Sequence, residues 1–290
     1  MQGILAMVAV VVVGGTNLGP EGGSGVVYSW LDAYVDSQSI ENRVHVPVGY
    51  SRVGVESGSF GEWLRKLPLK PGKPPVMLYN GKQKWNQEAH HAVVDMDVGK
   101  RDRQQCADAV MRLRGEYLFS KGDFKKIRFN YTHKDTTVKF ADWAKGKRPK
   151  VVEFKKNGKR RWRIDWIRSK RKGTDYKNFR QYMENVFSWA GTYSLARELK
   201  KVKDAGDIQP GDVYIQGGFP GHAILVLDVA VNSKTGKKVF LVGQSYMPAQ
   251  EFHILISPDN VGLSPWYPEE FGDTLATPEW VFKRTDLKRF

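Results

Sequence analysis

The chain has a single cysteine, Cys106, set in Asp102-Arg103-Gln104-Gln105-Cys106-Ala107-Asp108 where a helix is predicted to begin. Unpaired amides and the helix dipole stabilise negative charge there, so a thiol at this place is expected to ionise readily. The residue also fits a plainer role. Cys106, Val110, Leu113 and Tyr117 follow at i, i+4, i+7 and i+11, the stripe by which a helix packs onto a core. A base for the thiol is offered by His222, which closes the run Gly211-Asp212-Val213-Tyr214-Ile215-Gln216-Gly217-Gly218-Phe219-Pro220-Gly221 and opens an apolar strand. A rigid strand edge beside a glycine loop suits a general base, and the plain alternative is a histidine ending a strand in solvent.

Register supplies a third group. His222–Ala230 and Lys238–Tyr246 read as a hairpin turning near Lys234–Thr235. Pairing partners then sum to about 468–469, which puts residue 222 opposite about 246. Gln244 falls in that range, and its side-chain carbonyl could hold an imidazole tautomer as a triad requires. Ser245 competes for the place. Asp228 shares a face with His222 but lies six residues, roughly 20 Å, along the strand and cannot orient the ring. Gln104 or Gln105 could present an amide to an oxyanion, with the Cys106 backbone amide as second donor. These groups make acyl transfer through a thiol the chemistry to expect, with no cofactor.

The elements that must position them are helices early and strands late. Ser59-Phe60-Gly61-Glu62 is a capping box opening a helix through Trp63, Leu64 and Leu67 to Pro68. Val44–Val55 reads as a broken strand, Val76–Tyr79 with Asn80-Gly81 as a hairpin, and His90–Asp97 as a half-buried strand. His90, His91, Asp95 and Asp97 could suggest a metal, but adjacent histidines on a strand point to opposite faces, and no metal site is assigned. A helix from about Arg103 to Phe119 carries the cysteine, with Asp102 and Gln105 as a variant capping box. Helical periods return at Tyr176–Trp189 and Ser194–Val202. Strands follow at Gly211–Ile215, His222–Ala230, Lys238–Gln244, Phe252–Ile256 and Trp280–Phe282. This order predicts an α+β fold in one domain over residues 40–290.

With 290 residues and 41% apolar side chains the chain can build a large core, and one cysteine excludes a disulfide framework and a cysteine-rich zinc site. The net charge is +15, and twelve of those charges fall between Lys145 and Lys172, where fourteen Lys and Arg face only Glu153 and Asp165. Val151–Phe154 and Trp162–Ile167 flank Lys155-Lys156-Asn157-Gly158-Lys159, and Asn-Gly between apolar runs is a strong hairpin signal. Lys155, Lys156, Lys159, Arg160, Arg161, Trp162 and Arg163 thus form a basic, aromatic-bearing hairpin. It could grip an anionic envelope polymer or lipid, or merely protect a sheet edge. No nucleic-acid motif accompanies it, which disfavours nucleic acid. The apolar run Ile4–Val13, followed by a glycine-rich stretch to Gly25, reads as a signal or leader, with a buried strand as the alternative.

Two resemblances follow. The order of a helix-opening cysteine, a Gly211-Asp212-Val213 strand, Gly221-His222-Ala223-Ile224 and a polar residue on the next strand resembles the papain-like cysteine hydrolases, in particular NlpC-like and amidase-type cell-wall peptidases. From about Pro47 to Phe290 the chain more closely resembles an uncharacterised bacterial group, domain-of-unknown-function family 4846, through Ser59–Leu69, Gln104–Arg114, Gly211–His222 and Gln244–Gln250. The first resemblance implies a papain-like arrangement, with Cys106 as nucleophile, His222 as base, Gln244 as orienter and a peptide or cell-wall-like substrate. The apolar leader points to an exported or envelope-associated protein, with a cytoplasmic one as the alternative. The second resemblance lends no activity. The rival expectation is a non-catalytic envelope-binding scaffold that makes contact through the basic hairpin.

Overall fold

The apolar run led by His222 forms an eleven-residue strand, His222–Asn232, whose first nine residues are buried. The protein is described by a computed structural model covering residues 26–133 and 136–290, so the leader expected at residues 1–25 lies outside the described residues. Its helices are α1 (Ile40–Arg43), α2 (Phe60–Arg65), α3 (Cys106–Ser120), α4 (Phe140–Ala144), α5 (Tyr176–Phe187) and α6 (Thr192–Glu198). The strands are β1 (Tyr50–Arg52), β2 (His90–Val93), β3 (Arg128–Asn130), β4 (Thr137–Lys139), β5 (Lys147–Lys156), β6 (Lys159–Arg168), β7 (Lys200–Lys201) and β8 (Val213–Gln216). After them come β9 (His222–Asn232), β10 (Lys238–Gln244), β11 (His253–Leu255), β12 (Tyr267–Pro268), β13 (Thr274–Ala276), β14 (Val281–Lys283) and β15 (Leu287–Arg289).

A nine-stranded sheet runs in the order β2-β11-β10-β9-β8-β15-β7, with β1 added to β9 and β12 to β10. Every strand pairing within it is antiparallel, and the fold is α+β. β9 is apolar without alternation because both faces of the sheet are covered. Ala223, Leu225 and Leu227 join the core beneath α2, α3 and α5, while Ile224 and Val226 face Phe240, Leu255 and Phe282 on the other side. The stripe of α3 is real, since Cys106, Val110 and Leu113 are buried in the first core. At about 1.5–3 kcal/mol per buried aliphatic side chain, this packing and not the short helical hydrogen-bond ladder holds α3 on β9.

Local expectations are refined in four places. Ser59 Oγ accepts from Glu62 N at 3.2 Å, but the Glu62 carboxylate takes the Gly58 amide at 2.6 Å and not that of Ser59. The strand expected over Val44–Val55 is only Tyr50–Arg52. The stretch Trp280–Phe282 contributes β14, which pairs with β13 in a separate two-stranded unit and not with the large sheet. A bulge at Leu241/Val242 takes Asp228 off the face it was expected to share with His222 and turns it toward β1 and α2, where Arg52 and Arg65 bind its carboxylate at 2.7 and 2.8 Å. Among the described residues no helix is long and apolar enough to cross a membrane.

Candidate active site

α3 begins at Cys106, three residues later than expected. Gln105 is the N-cap, and its amide donates to Asp108 Oδ2 at 3.2 Å. Asp102 does not cap the helix. Its Oδ1 accepts from the Ala249 amide at 2.7 Å and from Gln105 Nε2 at 2.9 Å, fastening the connection after β10 to the loop before α3. Ser245 Oγ reinforces this contact, lying 3.1 Å from the Gln104 carbonyl. These bonds set the start of the helix against the ends of β9 and β10.

Cys106 is 6% exposed and borders a cavity of about 230 Å³ with Gln105, Asp108, Thr192, Gly221 and Met247. Burial pushes its thiol up to about 12, and the Asp108 carboxylate adds to the rise. Amides of Ala107, Ala223 and Cys106 itself pull the other way and do not prevail. The lowered thiol expected from a helix start is therefore corrected: loss of water outweighs the helical amides at this depth. The Ala223 amide beside the thiol places Cys106 one residue from His222 along β9.

His222 is fully buried, and its Nε2 lies 2.8 Å from Gln244 Oε1. The register explains the contact. Pairing ends at Gly243↔Leu225, so Gln244 reaches His222 diagonally, two residues beyond the position directly opposite. Gln244 Nε2 donates to Glu279 Oε2 at 2.7 Å and lies 3.5 Å from His253 Nε2. Glu279 in turn pairs with buried Lys84. Because a carboxylate only accepts, the amide nitrogen of Gln244 faces Glu279, and its oxygen faces the imidazole. His222 Nε2 must then carry the proton, which leaves a lone pair on Nδ1. That Nδ1 has no hydrogen-bond partner, so the imidazole is not bonded to the thiol, which meets the amide of the next residue, Ala223. Desolvation lowers His222 to about 4, against the opposing pull of Gln244.

Of the expected residues, Gln244 meets His222 directly, Cys106 meets the Ala223 amide next to His222 in sequence, and Gln105 lines the cavity beside Cys106. Gln104 is buried, but its Oε1 accepts from Arg112 at 2.7 Å and its Nε2 is 3.4 Å from the Asp97 carbonyl. The glycines before His222 admit backbone and not substrate: a Cβ on Gly221 would meet Thr192 Oγ1 at 2.4 Å and Gln216 O at 2.7 Å. The basic hairpin stands elsewhere. Phe154, Lys156, Lys159, Arg160, Arg161 and Trp162 line a separate depression of about 680 Å³. Sequence reasoning missed Glu279, Lys84, His253 and Tyr246, whose ring centroid is 4.8 Å from that of His222. Tyr246 lies two residues after Gln244 and His253 inside an expected strand, so both were within reach; nothing local marks Lys84 or Glu279. Among the described residues no three His, Cys, Asp or Glu side chains group as a metal site.

A family model described as "Domain of unknown function (4846)" matches residues 40–289. The chain belongs to this family. No curated protein and no solved structure is matched by it.

Proposed function

We propose that this protein is a papain-like cysteine hydrolase that cuts an amide or peptide bond, with Cys106, His222 and Gln244 in the roles of nucleophile, base and orienter. The observation that supports it is the division of the His222 ring, with Nε2 held by Gln244 and Nδ1 left bare, one residue along β9 from the Ala223 amide that meets the only thiol. Burial raises the thiol and lowers the imidazole, so the resting pair is neutral and no thiolate–imidazolium couple is stored. The sulfur attacks the substrate carbonyl as its proton passes to Nδ1. The Cys106 amide serves the oxyanion in this reading, since first-turn amides lack helical acceptors, and Gln105 Nε2, which gives one proton to Asp102, has a second to offer. Nδ1 then protonates the departing amine, and water, deprotonated by the same nitrogen, releases the acid from the thioester.

The substrate class in this reading is peptide or cell-wall-like, and the protein is exported or envelope-associated. Wild-type protein offered a panel of stem peptides and simple amides should carry a thioester on Cys106 detectable by intact mass, and His222→Ala should not. A wild type that neither hydrolyses nor acylates anywhere on that panel overturns the reading.

A second reading draws on the hairpin. β5 and β6 pair only with each other over ten residue pairs, so they protect no edge of the large sheet and stand as an arm of their own. On this reading the protein binds an anionic envelope polymer or lipid through that arm, with or without catalysis.

A further inference from the structure

The amide of Gln244 is symmetric in shape: a half-turn about its last bond exchanges oxygen and nitrogen with no change in packing. Only its neighbours decide which end meets His222. On the far side stand two groups without a proton to give. Glu279 Oε2 is 2.7 Å from Gln244 Nε2. His253 presents a bare Nε2 at 3.5 Å, because its Nδ1 donates to the Glu251 carbonyl at 2.8 Å. A flipped amide would set its oxygen against a carboxylate oxygen and an imidazole lone pair at once. Lys84 keeps Glu279 in that role, since the two side chains are only 2% and 5% exposed and form an ion pair. A buried ion pair is costly to desolvate and adds little net stability, so this pair calls for a purpose beyond holding two loops together.

We infer that Glu279, anchored by Lys84, is the positioning residue of this site: it locks the Gln244 amide so that His222 keeps its proton on Nε2 and its lone pair on Nδ1. The inference rests on the reading of Cys106 and His222 as a catalytic pair only for its effect on rate; the tautomer itself follows from the hydrogen bonds. Glu279 touches neither substrate nor thiol and acts through Gln244. Three distant stretches of chain meet to build the arrangement: the loop after the Asn80-Gly81 turn, the end of β10 and the segment before β14.

The test is nitrogen-15 NMR of labelled full-length protein, reading the His222 ring. Wild type is expected to show a protonated Nε2 and a bare Nδ1. Glu279→Ala should mix the tautomers or move the proton to Nδ1. Glu279→Gln, whose side-chain oxygen can still accept from Gln244, should restore the wild-type pattern, separating positioning from loss of fold. Urea midpoints report folding of both variants. If His222 keeps a pure Nε2–H tautomer in folded Glu279→Ala, the inference is overturned, whatever the enzyme does. Where a substrate from the amide panel is turned over, Glu279→Ala should lower its rate by on the order of 10²–10⁴-fold, with Glu279→Gln recovering most of it. A shifted tautomer in a protein that hydrolyses nothing would leave the inference standing and remove the catalytic reading instead.

Discussion

His222 and Cys106 are both buried in their uncharged forms, and each leaves a mark on pH dependence. His222 falls from its ordinary 6.5 to about 4. Between those values the unfolded chain takes up a proton that the folded chain refuses. Its contribution to stability is thus complete above pH 6.5 and is lost as pH falls toward 4, up to about 3 kcal/mol at 1.36 kcal/mol per pH unit. His253, lowered to about 3 by burial, acts in the same direction. Urea midpoints at pH 7 and pH 4.5 should therefore differ strongly in wild type and less in His222→Asn. Equal pH dependence in the two proteins would show that the folded state does not hold the ring neutral. The thiol mirrors this on the alkaline side: raised from 9 to about 12, it costs stability as pH climbs above 9, and Cys106→Ala should flatten that loss. The same neutrality predicts that any hydrolysis keeps its rate down to about pH 5, with an acid limb set by His222 near 4 and not near 6.5.

At the level of elements, the approach of α6 to the β8–β9 loop decides where His222 sits. Gly221 lies where a Cβ would be 2.4 Å from Thr192 Oγ1, 2.7 Å from the Gln216 carbonyl and 2.8 Å from the Gly218 amide. Two of these are backbone atoms and cannot swing aside, so Gly221→Ala must move the loop that delivers the histidine. A loss of about 1–3 kcal/mol in a urea titration is expected, by analogy with overpacked cores, along with a disturbed His222 resonance. Gly54→Ala, where nothing lies within 4 Å of a new Cβ, is the control. The glycines were legible in the sequence as a loop of close approach, though what approaches is a helix. Likewise the β9–β10 register was legible because an apolar hairpin with a short polar turn has few alternatives, and it brought Gln244 within reach of His222. Glu279 and Lys84 were not, because their meeting depends on loops with no periodicity to read. The thiol's fate was misjudged for a different reason: the position of a residue on a helix does not reveal how far water is excluded from it.

Over the whole molecule, charge and candidate chemistry are separated. Twelve of the fifteen net charges lie between Lys145 and Lys172, whereas Cys106 and His222 are each buried in an uncharged form. The two acidic groups on the hairpin are engaged, Glu153 with Arg160 at 3.3 Å and Asp165 with Arg163 at 2.9 Å, so further basic side chains define the field around the tip. Trp162 stands beside them 41% exposed. An arm of this kind should bind an anionic phosphate polymer or an anionic vesicle with a steep salt dependence, because each contact releases counterions. Replacing Lys155, Lys156, Lys159, Arg160 and Arg161 by glutamine should weaken binding and reduce the slope of log K against log salt by about one for each cation that makes a phosphate contact. Trp162→Ala should weaken binding by about tenfold, the equivalent of 1.4 kcal/mol, and leave the slope unchanged, since the ring contributes contact area and not charge. Neither change should alter the His222 tautomer or acylation of Cys106. A slope that survives the five substitutions would place the binding charge elsewhere on the surface and leave the arm without this role.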